Sequence, residues 1–312
     1  MMKIAIIGAT SFIAQELLRQ WVICGVNHEI HLYARDVEKV NKFINEINYE
    51  GIDFFSLDLN LFPMDGDYDA IINFIGVGDP AKAKKMGGSI LSITSFYDDL
   101  VISYLKDRPS CKYLFLSSGA VYGHDFSKPA TPSKMATFNI NSSVSSEKYS
   151  LAKFITEVKH RDLQHLSIVD IRVFSFFSRN QDLSTRFFLS DLVRAIQSNK
   201  KCEVSAEVMV RDYLHPEDFR QIIDCILSSP KVNLAVDCYS AGEIDKFHLL
   251  AEMKNRFGLQ YCILDNPDVI CATGNKVNYF SKNNRLAEFG FIPKYTSLEN
   301  IVMEVSAILG TQ

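Results

Sequence analysis

The first half of the chain alternates between short apolar runs and longer stretches whose apolar residues recur every three to four positions. The apolar runs are MKIAIIG, EIHLYARD, GIDFFSLD, DAIINFIG, KYLFLSSG and LSIVDIRVF. Between some of them lie FIAQELLRQWVI, GSILSITSFYDDLVISYLKD and SEKYSLAKFITEVKHRDL. The short runs predict buried strands, and the periodic stretches predict helices. This alternation predicts an α/β fold, a Rossmann-like, doubly wound parallel sheet with helices on both faces.

The pattern changes near residue 175. Predicted helices in TRFFLSDLVRAIQS, PEDFRQIIDCIL and FHLLAEMKNRF are then interleaved with short strands, without a second glycine-rich turn. We therefore expect a dinucleotide-binding domain over residues 1–175 and a smaller substrate-binding lobe over residues 176–312, with a strand near 235–240 able to return to the first domain. The stretch 123–145 is polar, rich in Pro and Ser and long for a connection, so we expect a loop beside the active site.

Composition narrows the class of protein. The chain has 312 residues, 47% of them hydrophobic, and a formal charge of −4, which argues against nucleic acid or an anionic membrane surface as a partner. No stretch approaches the ~20 apolar residues of a membrane span. The seven cysteines form no CxxC pair. We expect reduced thiols, a cytoplasmic protein and no metal site.

The turn GATSFIA joins the first strand to the first helix, where a dinucleotide pyrophosphate would bind. Glycine permits the tight turn, and the free amides of the helix start face the anion. Of the GxxGxxG pattern only Gly8 is present, with Ser11 and Ala14 in the other two places. The alternative is an ordinary strand-to-helix turn. The candidate cofactor contacts here are Gly8, Thr10, Ser11, Phe12 and Ile13.

Arg35 follows the second strand, where the adenosine ribose would lie. A guanidinium there suits a 2′-phosphate, whereas a carboxylate would select a free 2′-hydroxyl. Asp36 is adjacent, so NAD stays open, but the pattern favours NADP. The alternative for Arg35 is a solvated charge at a helix start.

Two further strand ends supply candidate cofactor contacts. Asp58, followed by Leu59, ends the third strand and could hydrogen-bond adenine; the alternative is a turn or helix-capping aspartate. Phe74, Ile75 and Gly76 end the fourth strand, where glycine would let the backbone pass close to the cofactor.

Tyr149 and Lys153 are four residues apart in a predicted helix, so both side chains lie on one face. A phenol titrates at about 10, so a base near neutral pH needs its pKa lowered by roughly 3 units. An ammonium about 4 Å away in moderate dielectric supplies an interaction of that size. The pair gains meaning from its context, with Ser118 upstream in SSGAVYG and the glycine turn at the start of the chain.

These residues resemble the extended short-chain dehydrogenase/reductase family, which includes nucleotide-sugar epimerases, dehydratases and ketoreductases. The resemblance covers nearly the whole chain. It is carried, in the family's order, by GATSFIA, LDL (57–59), SSGAVYG (117–123), YSLAK (149–153), RVFS (172–175), RDYLHPEDF (211–219) and FSKNNRLAEFGFIP (280–293).

The resemblance implies roles for single residues. Tyr149 would be the general acid/base, Lys153 would lower its pKa and bind the nicotinamide ribose, and Ser118 would hydrogen-bond the reacting oxygen. Hydride would pass between a sugar carbon and the nicotinamide.

The resemblance also implies contacts in the second part of the chain. Arg211 would reach the nucleotide diphosphate, unless it forms a structural ion pair with a neighbouring aspartate. Phe174 would contact the cofactor. Ser175 would contact the substrate at a position where many sugar epimerases have asparagine. His215 is expected to be a packing residue rather than a catalyst.

Departures from the family pattern narrow the reaction. Gly119 and Ala120 stand where 4,6-dehydratases carry an Asp-Glu pair, and Ala120 also replaces a cysteine of epimerase-reductases. What is left is 4-epimerisation or 4-keto reduction of a nucleotide sugar. The alternatives are a non-catalytic NAD(P)-binding sensor or scaffold, and a reductase of a non-nucleotide carbonyl compound. By analogy, helices around 90–105 and 146–164 would form a homodimer interface.

Overall fold

The computed structural model describes residues 1–47, 51–63, 66–76, 89–139, 141, 145–265 and 276–311. Its strands are β1 (Lys3–Ile7), β2 (Glu29–Ala34), β3 (Asp53–Asp58), β4 (Ala70–Asn73), β5 (Lys112–Ser118), β6 (Ser167–Val173), β7 (Ser175–Phe176), β8 (Cys202–Ser205), β9 (Val210–Arg211), β10 (Tyr213–Leu214), β11 (Asn233–Asp237), β12 (Ile244–Asp245), β13 (Tyr261–Leu264) and β14 (Asn278–Tyr279).

Helices follow most of the strands of the first half. They are α1 (Phe12–Cys24), α2 (Val37–Ile47), α3 (Ser89–Asp107), α4 (Ser145–Asp162), α5 (Phe188–Gln197), α6 (Pro216–Ser228), α7 (Lys246–Phe257) and α8 (Ser297–Leu309). Short 3₁₀ turns span Leu59–Leu61, Gly119–Tyr122 and Arg285–Phe289.

Seven strands form one parallel sheet in the order β11-β6-β5-β4-β1-β2-β3. The interior strand β1 pairs Ile4 with Ile30 of β2 on one side and with Ala70 of β4 on the other. Residues Ile4–Ile7 are buried throughout, as expected for a strand covered on both faces. The predicted doubly wound parallel sheet is confirmed.

Separate apolar layers cover the two faces of this sheet. Trp21 of α1 and Phe219 of α6 belong to the layer on one face. Val101 and Leu105 of α3 pack on the other, with Phe115 of β5. The carboxyl ends of the strands, where a ligand binds in folds of this type, therefore lie between two layers of helices.

The second part of the chain adds a third apolar cluster and small sheets. Residues of this cluster include Phe177, Leu192, Leu250, Met253 and Ile301. β9 pairs with β12 and β14, and β8 pairs with β13. β11 instead lies at the edge of the main sheet beside β6, so the second part of the chain contributes one strand to it.

Two observations bear on membranes and metals. Within the described ranges, no helix combines the length and apolarity that crossing a bilayer requires. Over the same residues, no group of three or more His, Cys, Asp or Glu side chains is arranged to hold a metal ion.

Candidate functional site

The glycine turn after β1 is held close to the neighbouring strands. Gly8 has φ +81°, and a Cβ atom there would lie 3.0 Å from the backbone nitrogen of Ile75. Its N–H donates to the Tyr33 carbonyl at 2.9 Å. Only glycine tolerates both the positive φ and the close approach of Ile75 without strain. The ends of β1, β2 and β4 therefore converge at this turn.

The start of α1 leaves its first backbone amides without a side-chain cap. Ser11 is the N-cap residue, but its side chain makes no capping hydrogen bond. The first amides of a helix lack partners within the helix, and they carry its partial positive charge. Thr10, Ser11, Phe12 and Ile13 are partly exposed, and the Phe12 ring packs edge-on against Phe176 with 5.6 Å between centroids. These residues fit a dinucleotide pyrophosphate.

Arg35 and two aspartates lie at the ends of β2 and β3. Arg35 is exposed. The Asp36 carboxylate accepts the Lys39 N–H at 2.9 Å, and the Asp58 carboxylate accepts the Asn60 N–H at 2.8 Å. Each aspartate therefore has a local capping role, and Arg35 and Asp36 are both exposed after β2. Leu59 is buried.

The segment after β4 joins the turn to the proposed catalytic residues. The Ile75 N–H donates to the side chain of Asn73 at 2.8 Å, and Phe74 is buried. A Cβ atom on Gly76 would lie 3.3 Å from Lys153 Nζ. The candidate cofactor residues and the candidate catalytic lysine are therefore neighbours.

Ser118 ends β5 and begins the Gly119–Tyr122 turn. Its hydroxyl oxygen accepts the Ala120 N–H at 3.2 Å and lies 3.3 Å from the Tyr279 hydroxyl. A Cβ atom on Gly119 would lie 2.3 Å from the Phe174 ring, so this position has no room for a larger side chain.

Tyr149 and Lys153 lie on one face of α4, as their spacing predicts. Lys153 is buried, and its ammonium donates to the Leu116 carbonyl at 2.6 Å. The ammonium lies 4.2 Å from the centroid of the Phe115 ring and 5.9 Å from that of Tyr149.

The pKa values differ from the expectation that Lys153 lowers the pKa of Tyr149. Burial raises the pKa of Tyr149, and a hydrogen bond with Ser118 offsets part of the rise. Burial lowers the pKa of Lys153 to about 8, against the pull of Asp98, Glu157 and Asp170. The physical reason is distance, because the ammonium is held at Leu116 and Phe115 and does not contact the phenol.

A second phenol and two cations lie on the other side of Ser118, and sequence reasoning missed most of them. Tyr279 is buried, and burial raises its pKa, so its hydroxyl stays protonated. The guanidinium carbon of Arg211 lies 5.7 Å from the Tyr279 ring centroid, and Lys276 Nζ lies 4.7 Å from it. The one available signal was the position of Tyr279 directly before the FSKNN motif.

The remaining sequence candidates lie in β7, in β9 and directly before β7. Arg211 is buried and donates to the carbonyls of Val210 and Lys276 at 2.7 and 2.8 Å. Ser175 lies in β7, partly exposed. The Phe174 side chain packs against Tyr279 with 5.2 Å between ring centroids.

His215 has a structural role, as expected. It caps α6 by accepting the Glu217 N–H at 3.0 Å, and its ring packs on Tyr295.

A buried polar network connects the Gly119–Tyr122 turn to α4, β6 and β11. Arg172 of β6 donates to Glu157 of α4 at 3.0 Å, and Tyr122 donates to Asp237 of β11 at 2.9 Å. Ser117 donates to the same Glu157 at 2.5 Å. The helix that carries Tyr149 is thereby tied to the strand that ends in Ser118.

Comparisons with known proteins agree with this architecture. Residues 4–242 match the sequence model of the NAD dependent epimerase/dehydratase family. No curated protein matches the chain.

Solved structures similar to this chain over nearly its whole length include three enzymes. The first is dTDP-glucose 4,6-dehydratase from Bacillus anthracis in complex with NAD, at 16% identity and TM-score 0.77, covering 100% of this chain and 98% of that one. The second is UDP-glucose-4-epimerase from Stenotrophomonas maltophila with bound NAD and formylated UDP-arabinopyranose, at 14% identity and TM-score 0.78, covering 99% and 98%. The third is UDP-glucuronic acid 4-epimerase from Bacillus cereus in complex with UDP-glucuronic acid and NAD, at 14% identity and TM-score 0.77, covering 99% of both chains.

The structural matches, at such low identity, show a shared fold, and the family match covers most of the chain. Together they define an enzyme of the extended short-chain dehydrogenase/reductase type. The chain belongs to the NAD-dependent epimerase/dehydratase family.

Proposed function

We propose that this protein is an NAD(P)-dependent nucleotide-sugar oxidoreductase that acts as a 4-epimerase or a 4-keto reductase. The observation that carries the proposal is the meeting of Ser118, Tyr149 and Lys153 beside Gly76, at the edge of the sheet where the Gly8 turn also lies. A hydroxyl pair next to a buried ammonium is the equipment for moving one proton to or from a carbonyl or hydroxyl oxygen.

Each residue then has a task in the reaction. Tyr149 exchanges the proton with the reacting oxygen, and Ser118 holds that oxygen by a hydrogen bond. Lys153 binds the nicotinamide ribose. A nicotinamide held beside Lys153 and Gly76 would supply the hydride chemistry, and its positive charge when oxidised would oppose the rise that burial causes in the pKa of Tyr149.

The proposed cofactor site runs from Gly8 and Ser11 through Arg35 and Asp58 to Gly76. NADP is the preferred dinucleotide in this proposal. Arg35 is exposed after β2, while the neighbouring Asp36 carboxylate caps the start of α2. A guanidinium at this place favours the 2′-phosphate. A preference for NADP in turn favours the reductase, which consumes its cofactor.

The proposed substrate side is formed by Ser118, Ser175 and Arg211, with residues 176–312 as the substrate-binding lobe and residues 1–175 as the dinucleotide-binding domain. Arg211 supplies a buried guanidinium for the nucleotide diphosphate. Dehydration is disfavoured because Gly119 and Ala120, at the places of the dehydratases' Asp-Glu pair, carry no group that can transfer a proton. The similar structures include a 4,6-dehydratase and a 4-epimerase, so the fold by itself does not decide between these two reactions.

We further propose a cytoplasmic homodimer that pairs through α3 and α4. Phe96 on α3 is 57% exposed, and Ile155 and Val158 on α4 are each 49% exposed. Two copies of this chain would cover these apolar side chains at a two-fold axis.

The first experiment identifies the cofactor and then the substrate. Purified protein is denatured, any released dinucleotide is identified, and the native protein is screened for thermal stabilisation by nucleotide sugars. Tightly held NAD favours the epimerase, whereas a site that saturates with NADPH favours the reductase. Stabilisation by a dinucleotide without turnover of any nucleotide sugar favours the sensor or the non-nucleotide reductase.

The matched mutational test uses Tyr149→Phe. We expect turnover to fall by at least about 1,000-fold, because the phenol that exchanges the proton is lost, while cofactor affinity stays within about two-fold. Tyr261→Phe, another partly buried phenol in β13, is the control and should keep full activity. Turnover that survives in Tyr149→Phe would remove Tyr149 from the proposed role.

A further inference from the structure

Three buried ionisable side chains form a cluster behind the proposed site. Asp98 of α3, His160 of α4 and Asp170 of β6 are fully buried. The His160 ring bridges the two carboxylates, with Nε2 2.8 Å from Asp98 and Nδ1 2.6 Å from Asp170. Neither the proposed acid/base chemistry nor the proposed cofactor contacts use these residues.

The His160 ring is in its doubly protonated, positively charged form at neutral pH. Burial alone lowers the pKa of His160, but Asp170 and Asp98 outweigh burial and raise it to about 9. Tyr113 donates a further hydrogen bond to Asp98 at 2.8 Å. With both carboxylates ionised, the three groups carry one net negative charge inside the protein.

Each carboxylate also meets a cation nearer the surface. Lys159 pairs with Asp98, and Arg161 pairs with Asp170 at 2.5 Å. Both cations are one-third exposed, at 33%. Water therefore screens them far more than it screens the buried groups.

A single aromatic ring separates this cluster from Lys153. The Lys153 ammonium lies 4.2 Å from the Phe115 centroid, and the His160 ring lies 5.4 Å from the same centroid. Among the described residues, the Leu116 carbonyl is the one protein acceptor in hydrogen-bond contact with Lys153, and no carboxylate lies within ion-pair distance of it.

A buried ammonium in this position needs a negative charge acting through space. Asp98, Glu157 and Asp170 are the carboxylates that act on Lys153. Glu157 pairs with Arg172, and the Arg172 side chain is 18% exposed, against 33% for the cations that pair with Asp98 and Asp170, so solvent screens its charge less and it offsets Glu157 more fully. The other two belong to the cluster. Of the remaining titratable groups on the facing elements, Tyr149 lies 5.9 Å away on α4 and stays neutral.

We propose that Asp98, His160 and Asp170 are positioning residues whose joint negative charge keeps Lys153 protonated at neutral pH. The catalytic consequence rests on the function proposed above, in which a charged Lys153 binds the nicotinamide ribose beside Tyr149. The electrostatic statement itself requires neither cofactor nor substrate. It predicts that the protonation of Lys153 follows the net charge of the three groups.

The test measures the titration of Lys153 directly, in full-length protein carrying lysine labelled with ¹³C at Cε. The Lys153 signal is identified by its loss in Lys153→Arg, and its shift is followed from about pH 6 to about pH 11, across the range in which buried lysines titrate. His160→Gln removes the positive charge and leaves both carboxylates. We expect the Lys153 midpoint to rise by about 0.5 to 1 unit.

Asp98→Asn should shift the Lys153 midpoint in the opposite direction. It removes a negative charge, so the midpoint should fall by a similar amount as long as His160 keeps its proton, which the His160 ring signals report in the same sample. If His160→Gln fails to fold, Asp98→Asn decides the question alone. Asp99→Asn is the control, because Asp99 is the adjacent residue, is exposed and pairs with Lys159 at the surface. It should leave the midpoint unchanged.

An unchanged midpoint in His160→Gln, or shifts of the same sign in His160→Gln and Asp98→Asn, would overturn the proposal. So would an Asp99→Asn shift as large as that of Asp98→Asn. Absence of nucleotide-sugar activity would contradict the proposed function but would not affect the Lys153 titration. If both hold, the pH profile of kcat should move with the Lys153 midpoint in each variant while substrate KM stays the same.

Discussion

At the scale of single residues, the Ser118 hydroxyl lies beside two phenols. Burial raises the pKa of Tyr149, a hydrogen bond with Ser118 offsets part of that rise, and the Tyr279 hydroxyl lies 3.3 Å from the Ser118 oxygen. Because burial keeps Tyr279 protonated, it can restrict the rotation of the serine hydroxyl without competing for the reacting proton. We interpret Tyr279 as the group that holds Ser118 in place.

Tyr279→Phe tests this interpretation. One neutral hydrogen bond is worth about 1 kcal/mol, so kcat should fall about five-fold while cofactor affinity stays the same. The control is Tyr239→Phe, a partly buried phenol that packs on Phe291. Steady-state kinetics and dinucleotide titration provide both numbers. A variant with unchanged kcat would show that Ser118 needs no support from Tyr279.

The residues that sequence reasoning missed are those whose partners are distant in the chain. Tyr149 and Lys153 were recognisable because a helix fixes the relation of residues four apart. Tyr279 meets Ser118 across 161 positions, and His160 meets Asp98 across 62. No local pattern marks such contacts. The pKa of Tyr149 was mispredicted for a related reason, since the Leu116 carbonyl that holds Lys153 is invisible in the helical spacing.

At the scale of elements, the strands of the main sheet were predictable because both of their faces are buried. The run IAII in β1 is fully buried, and apolar residues are selected at every position. The small sheets formed by β7 to β10 and β12 to β14 were not predictable. Several of these strands have two residues, too few to show a period.

One carboxylate joins two helices and a turn in the second part of the chain. Glu304 of α8 accepts the side chain of Arg179 at 2.6 Å and lies 3.6 Å from His215, the residue that caps α6. Burial alone would raise the pKa of Glu304, but His215 and Arg179 together lower it to about 2. The folded protein therefore favours the carboxylate more strongly than the unfolded chain does.

Glu304→Gln should reduce stability in a pH-dependent way. A carboxyl pKa that is depressed on folding stabilises the protein above its unfolded value and loses this contribution as the pH falls towards its folded value. We expect wild type to exceed the variant by up to about 3 kcal/mol at neutral pH, with the gap closing between about pH 5 and about pH 2. Urea unfolding at a series of pH values measures it, with the exposed Glu288→Gln as control. A gap that does not vary with pH would contradict the assignment.

At the scale of the whole molecule, exposed apolar side chains are unevenly placed. Leu91 and Phe96 on α3 are 41% and 57% exposed, and Ile155 and Val158 on α4 are each 49% exposed. α3 and α4 pack against each other, so the four side chains lie on one helix pair. Contiguous exposed apolar patches mark association surfaces, so the proposed homodimer requires these four side chains to act as one patch.

Ile155→Glu tests the proposed homodimer. A two-fold interface would receive the new carboxylate twice, and burying a charge against apolar side chains costs at least about 3 kcal/mol, so the dimer dissociation constant should rise by at least about 100-fold. Ile292→Glu is the control, because Ile292 is 75% exposed but lies outside this helix pair. Sedimentation velocity over a range of protein concentrations distinguishes the two forms. A wild-type protein that sediments as a monomer at all concentrations, or an Ile155→Glu variant that dimerises as well as Ile292→Glu, would show that α3 and α4 face solvent.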